Sequence, residues 1–139
     1  MTTIPMRRQN GVALLEALLA AVLLAIGLLG TIGLQARAYS ALSDAGMRAE
    51  ATIAAERLIG VMTTDAARLA DYAVASGAAP GARLAPWYSA TRNSIPGATV
   101  SVVVTAGSGA GAPSEVTITI GWQRKADAPT NRHAVRAFI

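Results

Sequence analysis

Cysteine is absent from this chain of 139 residues, and histidine occurs once, at His133. Without cysteine the chain has no disulfide, no cysteine nucleophile and no thiolate metal site, although this says nothing about its redox compartment. A single histidine excludes a metal site built from two histidines, and the chain has no glycine-flanked serine elbow of the hydrolase type. We therefore predict that the protein is not an enzyme and holds no metal or other cofactor.

Charge is also scarce. Charged residues make up 14% of the chain, and two of the basic residues behind its formal net charge of +4 are Arg7 and Arg8 at the amino end. The other basic residues are scattered apart from Arg124-Lys125. A nucleic-acid backbone is usually bound by a concentrated basic stripe. We expect neither nucleic acid nor a small-molecule substrate among the partners.

Apolar residues, in contrast, are abundant and concentrated. Between residues 12 and 34 only Glu16 and Thr31 are polar. As a helix this segment is about 35 Å long, enough to cross a hydrocarbon core of about 30 Å. We predict one membrane-spanning helix, and residues 35–139 suffice for a single small domain.

The residues around the apolar segment are compatible with three kinds of N-terminal segment: a cleaved secretory signal, an uncleaved anchor, or a leader removed on the cytoplasmic side. Arg7 and Arg8 precede the segment, which places the bulk of the chain outside the cytoplasm. Ala36-Arg37-Ala38 would serve as a signal-peptidase site that releases a secreted binding module. However, the segment is longer than the usual signal core of about 7–15 residues, and it contains Glu16. Placing a carboxylate in a membrane-spanning segment costs up to a few kcal/mol of insertion free energy. Such a residue is therefore expected to have a functional role.

One short motif favours a leader that is removed on the cytoplasmic side. Gly11-Val12-Ala13-Leu14-Leu15-Glu16, preceded by Arg7-Arg8-Gln9-Asn10, resembles the class III signal of type IV pilins and pseudopilins. The resemblance implies that residues 1–11 are a leader, that a prepilin peptidase/N-methyltransferase cuts between Gly11 and Val12, and that Val12 is then N-methylated. It also implies that Glu16 sets the register between neighbouring helices in a filament. Val12 and Ala13 depart from the family's commonest phenylalanine and threonine.

A second run narrows the resemblance to the minor pilins. Ala25-Ile26-Gly27-Leu28-Leu29-Gly30, followed by Leu34-Gln35, is similar to the corresponding segment of type IV pilus modification proteins. This implies a role in priming pilus assembly and in modulating adhesion or twitching motility, with other minor and major pilins as partners. It also implies an inner-membrane protein with a periplasmic head that later enters the pilus. Small residues expected to support helix packing are Ala17, Ala21, Ala25, Gly27, Gly30 and Gly33.

Two alternatives remain beside the secreted module. A minor pseudopilin of a type II secretion system shares the leader, Glu16 and the general plan. A membrane-anchored periplasmic enzyme would need a cleft with perturbed titratable groups, and the sequence offers no candidate set.

The remainder of the chain predicts a small α+β domain. Residues 35–75 are expected to extend the helix as an amphipathic half, with a break near Thr63-Thr64, because Thr64 followed by Asp65 resembles a new N-cap. Its apolar stripe comprises Met47, Ala51, Ala54, Leu58, Met62, Leu69 and Tyr72. Arg68 has the spacing to pair with Asp65 and with Asp71.

A connecting loop is expected over residues 76–98. Its Trp87-Tyr88 pair is either an anchor in the core, which we favour, or an exposed contact for a neighbouring subunit. The region 99–139 predicts three antiparallel strands, Thr99 to Thr105, Glu115 to Trp122 and His133 to Ile139. In the second strand Val116, Ile118, Ile120 and Trp122 share one face, and His133 is expected at a strand edge. The predicted architecture is a pilin-like lollipop, in which a long N-terminal helix packs on a short antiparallel β-meander.

Overall fold

A computed structural model describes residues 10–109, 111–123 and 128–139, with side chains from Val12 onward. Helix α1 runs from Asn10 to Thr64. It contains no proline and is rich in alanine and leucine, the residues with the highest helix propensity. The chain divides into two units, one ending at Ser43 and the other comprising Asp44–Ile139.

In the first unit almost every described side chain is exposed, including the large apolar ones. In the second unit α1 buries one face, as the apolar stripe predicts. Ala51, Ala54, Leu58 and Met62 belong to the core, and Met47 packs against its edge. This half of the helix therefore gains its stability from tertiary packing.

Three strands form the sheet on which that face packs: β1 (Thr99–Thr105), β2 (Glu115–Trp122) and β3 (Asn131–Phe138). They lie in the order β1-β2-β3 with both pairs antiparallel. Val116, Ile118, Ile120 and Trp122 are all buried in the core, as their alternation predicts. The α+β fold with a long N-terminal helix on an antiparallel meander is confirmed, and β3 begins two residues earlier than expected.

The prediction of a helix continuing to residue 75 is wrong. α1 ends at Thr64, and a 3₁₀ helix follows over Ala66–Tyr72. The break lies where expected, but no side-chain cap forms: the Thr64 hydroxyl donates to the carbonyl of Val61 within α1, and the Asp65 carboxylate binds side chains instead. Arg68 has φ −129°, outside the helical range, so the chain turns here and buries Leu69 and Tyr72.

The expected loop over residues 76–98 contains a second helix, α2 (Ala85–Ser94). Pro86 lies in its first turn, where a missing N–H costs nothing. Ile95 ends the helix with φ −123° because the following residue, Pro96, disfavours helical geometry before it. Two of the three prolines in the expected loop, Pro86 and Pro96, thus lie in the first turn of a helix and just beyond its end.

Candidate functional site: the apolar helix and its anchored head

The proposed cleavage point lies at the start of α1. Residues 1–9, which hold most of the proposed leader, lie outside the described residues. Gly11 belongs to the first turn of the helix, and Val12 is exposed.

Glu16 lies one turn beyond Val12, about 6 Å along the helix axis. Its side chain is exposed and makes no ion pair or hydrogen bond with any residue that the structure describes. The other polar side chain of the segment is satisfied within the helix, since the Thr31 hydroxyl donates to the carbonyl of Leu28 at 2.8 Å. Of the two polar side chains in the segment, Glu16 is therefore the one that has no partner among the described residues.

The small residues of the segment form two rows. At about 100° per residue, Ala17, Ala21 and Ala25 centre on one side of the helix. Gly27, Gly30 and Gly33 centre on the opposite side, within the half-turn that also holds Glu16. A Cβ added at any of the three glycines would meet nothing within 4 Å. Packing within this chain therefore does not require glycine at these positions.

Within the described residues one helix, α1, is long and apolar enough to cross a bilayer. None of its most apolar window is buried inside the protein. Large apolar patches on protein surfaces mark contacts with membranes or other proteins. The exposed apolar window is consistent with a membrane anchor.

In the second unit, Asp44–Ile139, which we call the head, five side chains form what we call the Asp65 cluster: Asp65, Arg68, Asp71, Tyr72 and Arg83. Oδ2 of Asp65 accepts from Nη1 of Arg83 at 2.7 Å and from the Tyr72 hydroxyl at 3.0 Å. Its Oδ1 accepts from Nη1 of Arg68 at 3.3 Å, while Nε of Arg83 donates to Oδ2 of Asp71 at 3.0 Å. The cluster ties the end of α1 and the 3₁₀ helix to the segment that leads into α2.

Two pKa values report the electrostatics of this cluster. Burial, together with the hydrogen bond to the Asp65 carboxylate, raises the pKa of Tyr72 above 10.0. Desolvation lowers the pKa of Arg83, but the carboxylates of Asp65 and Asp71 outweigh it and raise that pKa above its usual value. Both shifts favour the protonated states present at neutral pH.

Trp87 anchors α2 to α1, which is the role predicted for the aromatic pair Trp87-Tyr88. Its indole Nε1 donates to the carbonyl of Ala54 at 2.8 Å, and Tyr88 packs against the same core. Beside Trp87 the two helices leave a cleft of about 50 Å³, lined in part by Glu50, Arg57 and Thr91. This volume is suited to one or two water molecules rather than to a metabolite.

The structure brings some predicted groups together and separates others. Arg68 pairs with Asp65 as expected. The prediction that it also pairs with Asp71 is wrong, because the non-helical backbone at Arg68 disrupts the i to i+3 helical spacing that this pair needs. Asp71 binds Arg83 instead. Arg83 was not identified from the sequence, since it reaches Asp65 across 18 positions and no local pattern signals such a contact.

Among the described residues no group of three or more His, Asp or Glu side chains could hold a metal ion. Comparison with known proteins finds no matching family model, no similar curated protein and no similar solved structure. The function is therefore inferred from the residues and their geometry.

Proposed function

We propose that this protein is a minor type IV pilin that takes part in priming and assembly of the pilus and modulates adhesion or twitching motility. The observation that carries the proposal is the exposed carboxylate of Glu16, which binds no residue that the structure describes and lies one turn beyond the proposed cleavage point on an apolar helix. The motif around it resembles the pilin leader, and the run from Ala25 to Gly30 resembles the modification protein PilV. The α+β fold supports the same assignment.

Cleavage after Gly11 would create an ammonium group at Val12, which N-methylation leaves positively charged. In a bundle of like helices this group can pair with the carboxylate of a neighbouring pilin. At 4 Å and an effective dielectric constant near 20 the attraction is about 4 kcal/mol before desolvation is subtracted. This pair would fix the axial position of each helix against the next.

The packing surfaces follow from the same helix. The alanine row and the glycine row let neighbouring helices approach closely from two sides. The protein would insert into the inner membrane through residues 12–34, with its head in the periplasm, and enter the pilus after processing by the prepilin peptidase/N-methyltransferase. Other minor and major pilins would be its partners, and the Asp65 cluster would hold the head in the shape they contact.

The proposal is tested by replacing Glu16 in cells that carry the assembly machinery. Glu16→Ala and Glu16→Gln should leave membrane insertion and leader cleavage intact but sharply reduce the protein in sheared pili. Thr31→Ala is the matched control, since it removes the other polar side chain of the segment, whose hydrogen bond is internal. Unchanged pilus incorporation of both Glu16 variants would contradict the proposal.

A minor pseudopilin of a type II secretion system is the alternative within the same machinery, and the geometry at Glu16 suits it equally. Deletion of the gene separates the two, because loss of surface pili supports the pilin and loss of exoprotein secretion supports the pseudopilin. A soluble product beginning at Tyr39 would instead identify the secreted binding module.

A further inference from the structure

The two outer strands of the sheet, β1 and β3, differ in whether another segment pairs with their outer edge. Val102 of β1 exchanges backbone hydrogen bonds with Val74, at 3.0 and 2.9 Å, so the middle of that edge is covered. Across residues 10–109, 111–123 and 128–139, β3 pairs with β2 alone. Its second edge is therefore the place where the sheet can still accept a strand.

The register identifies which backbone groups face that edge. Ser114 and Ile139 exchange both hydrogen bonds, at 2.6 and 2.9 Å, and antiparallel pairs alternate between bonded and non-bonded. The bonded pairs that follow along the register are Val116 with Ala137, Ile118 with Val135, Ile120 with His133 and Trp122 with Asn131. The intervening residues of β3 direct their N–H and C=O groups away from β2: Arg132, Ala134, Arg136 and Phe138.

Side chains on the same four residues give this edge a distinct character. All four are exposed, and they alternate with half-buried residues on the face that packs toward the core. Arg132 and Arg136 lie four positions apart on one face, and Arg136 also pairs with Glu115 at 3.1 Å. On the other face Val135 and Ile139 pack against the core without being fully covered. The outer face thus carries two arginines beside Ala134 and the exposed Phe138, and the inner face is apolar at Val135, Ala137 and Ile139.

We infer that the free edge of β3 is a docking site for an extended segment of a different protein, which adds as a fourth strand and carries two acidic residues four positions apart. Those carboxylates would lie opposite Arg132 and Arg136. The alternate positions of the segment would be apolar and would cover Val135 and Ile139. Backbone hydrogen bonds would supply affinity, and the charge spacing would supply specificity.

A second copy of this chain does not fit the same edge. Its eight acidic residues include no two that are four positions apart. Antiparallel pairing of two β3 strands centred on Ala134 would also set Arg132 against Arg136 of the other copy, which is destabilising. The occupant is therefore expected from another protein. This inference concerns the sheet alone and does not depend on the chain being a pilin.

The test uses the full-length protein in lipid nanodiscs and a nine-residue peptide with glutamate at its fourth and eighth positions, threonine at its second and sixth, and valine at the odd ones. Binding should slow hydrogen exchange at the amides of Arg132, Ala134, Arg136 and Phe138 and should weaken as salt increases. A peptide with lysine in place of glutamate should not bind. Equal binding of the lysine peptide, or the acidic peptide leaving these amides unprotected, would overturn the inference.

Two variants distinguish the contribution of backbone hydrogen bonds to peptide binding from that of the arginine charges. Ala134→Pro removes an N–H that faces the free edge, so it should abolish peptide binding while β2 and β3 stay paired. Arg132→Glu should weaken binding by about five-fold or more through loss and reversal of one charge pair. Arg48→Glu, on an exposed position of α1, is the matched control and should bind as the wild type does. If Ala134→Pro lowers the thermal midpoint of unfolding, the comparison of Arg132→Glu with Arg48→Glu is the deciding test. Equal affinities of these two variants for the acidic peptide would refute the docking site.

Discussion

Nη1 of Arg83 lies 2.7 Å from Oδ2 of Asp65, a contact that joins the segment before α2 to the residue that directly follows α1. The same carboxylate also holds Tyr72 and Arg68. One side chain thus connects three consecutive parts of the head. The side chain of Asp65 is 21% exposed and that of Asp71 is 56% exposed, so the two carboxylates of the cluster should differ in their effect on stability.

Asp65→Ala should lower the free energy of unfolding by about 1–3 kcal/mol, because Tyr72, Arg68 and Arg83 all lose their acceptor. Asp71→Ala, the control, should cost less than about 1 kcal/mol, as expected of an exposed ion pair. Urea unfolding of the full chain in detergent, followed by tryptophan fluorescence, measures both, since Trp87 and Trp122 belong to the head. Equal losses would mean that Asp65 does not have the central role assigned to it.

The raised pKa of Tyr72 predicts a dependence of stability on alkaline pH. Because the folded state holds this proton more tightly than the unfolded state, the stabilisation is fully present below pH 10.0, the ordinary pKa. It is lost as pH rises through the higher pKa of the folded state. Ultraviolet titration should show a tyrosine ionisation delayed to high pH, and Tyr72→Phe should remove that late step. A late step that persists in Tyr72→Phe would assign it to another tyrosine.

Trp87 is predicted to hold α2 through its indole N–H as well as through its packing. Trp87→Phe should cost about 1 kcal/mol through loss of the bond to Ala54, and Trp87→Ala about 3–5 kcal/mol. Tyr88→Phe is the control, because its hydroxyl bonds no residue that the structure describes, and it should be nearly neutral. Thermal unfolding followed by circular dichroism compares them. A neutral Trp87→Phe would show that packing alone anchors the helix.

The glycine row predicts an effect on assembly without an effect on folding. Gly30→Leu places its side chain in open space and improves helix propensity by about 1 kcal/mol. Membrane levels and head stability should therefore be unchanged, while incorporation into sheared pili falls. Gly46→Leu makes the same change at an equally open position of α1 outside the apolar segment, and it should assemble normally. Equal incorporation of the two variants would remove the glycine row from the packing surface.

Local sequence patterns sufficed for the parts of the fold that rest on periodicity. The bounds of β1 and β2, the buried face from Val116 to Trp122 and the core stripe of α1 all follow from repeats of two or about 3.6 residues. The 3₁₀ helix that follows the break at Thr64 and the docking of α2 on α1 depend on contacts distant in sequence, namely Arg83 with Asp65 and Trp87 with Ala54. No window of neighbouring residues contains those interactions. Glu16, in contrast, was identifiable from sequence because a carboxylate in an apolar segment stands out by itself.

The most direct test of the proposed function is the mass of the amino-terminal peptide of the protein, taken from membranes and from sheared pili of cells that have the processing machinery. The proposal predicts a peptide that begins at Val12 and carries one added methyl group. A peptide that begins at Tyr39, or one that retains Met1, would contradict cleavage after Gly11 and with it the assignment of the chain as a pilin.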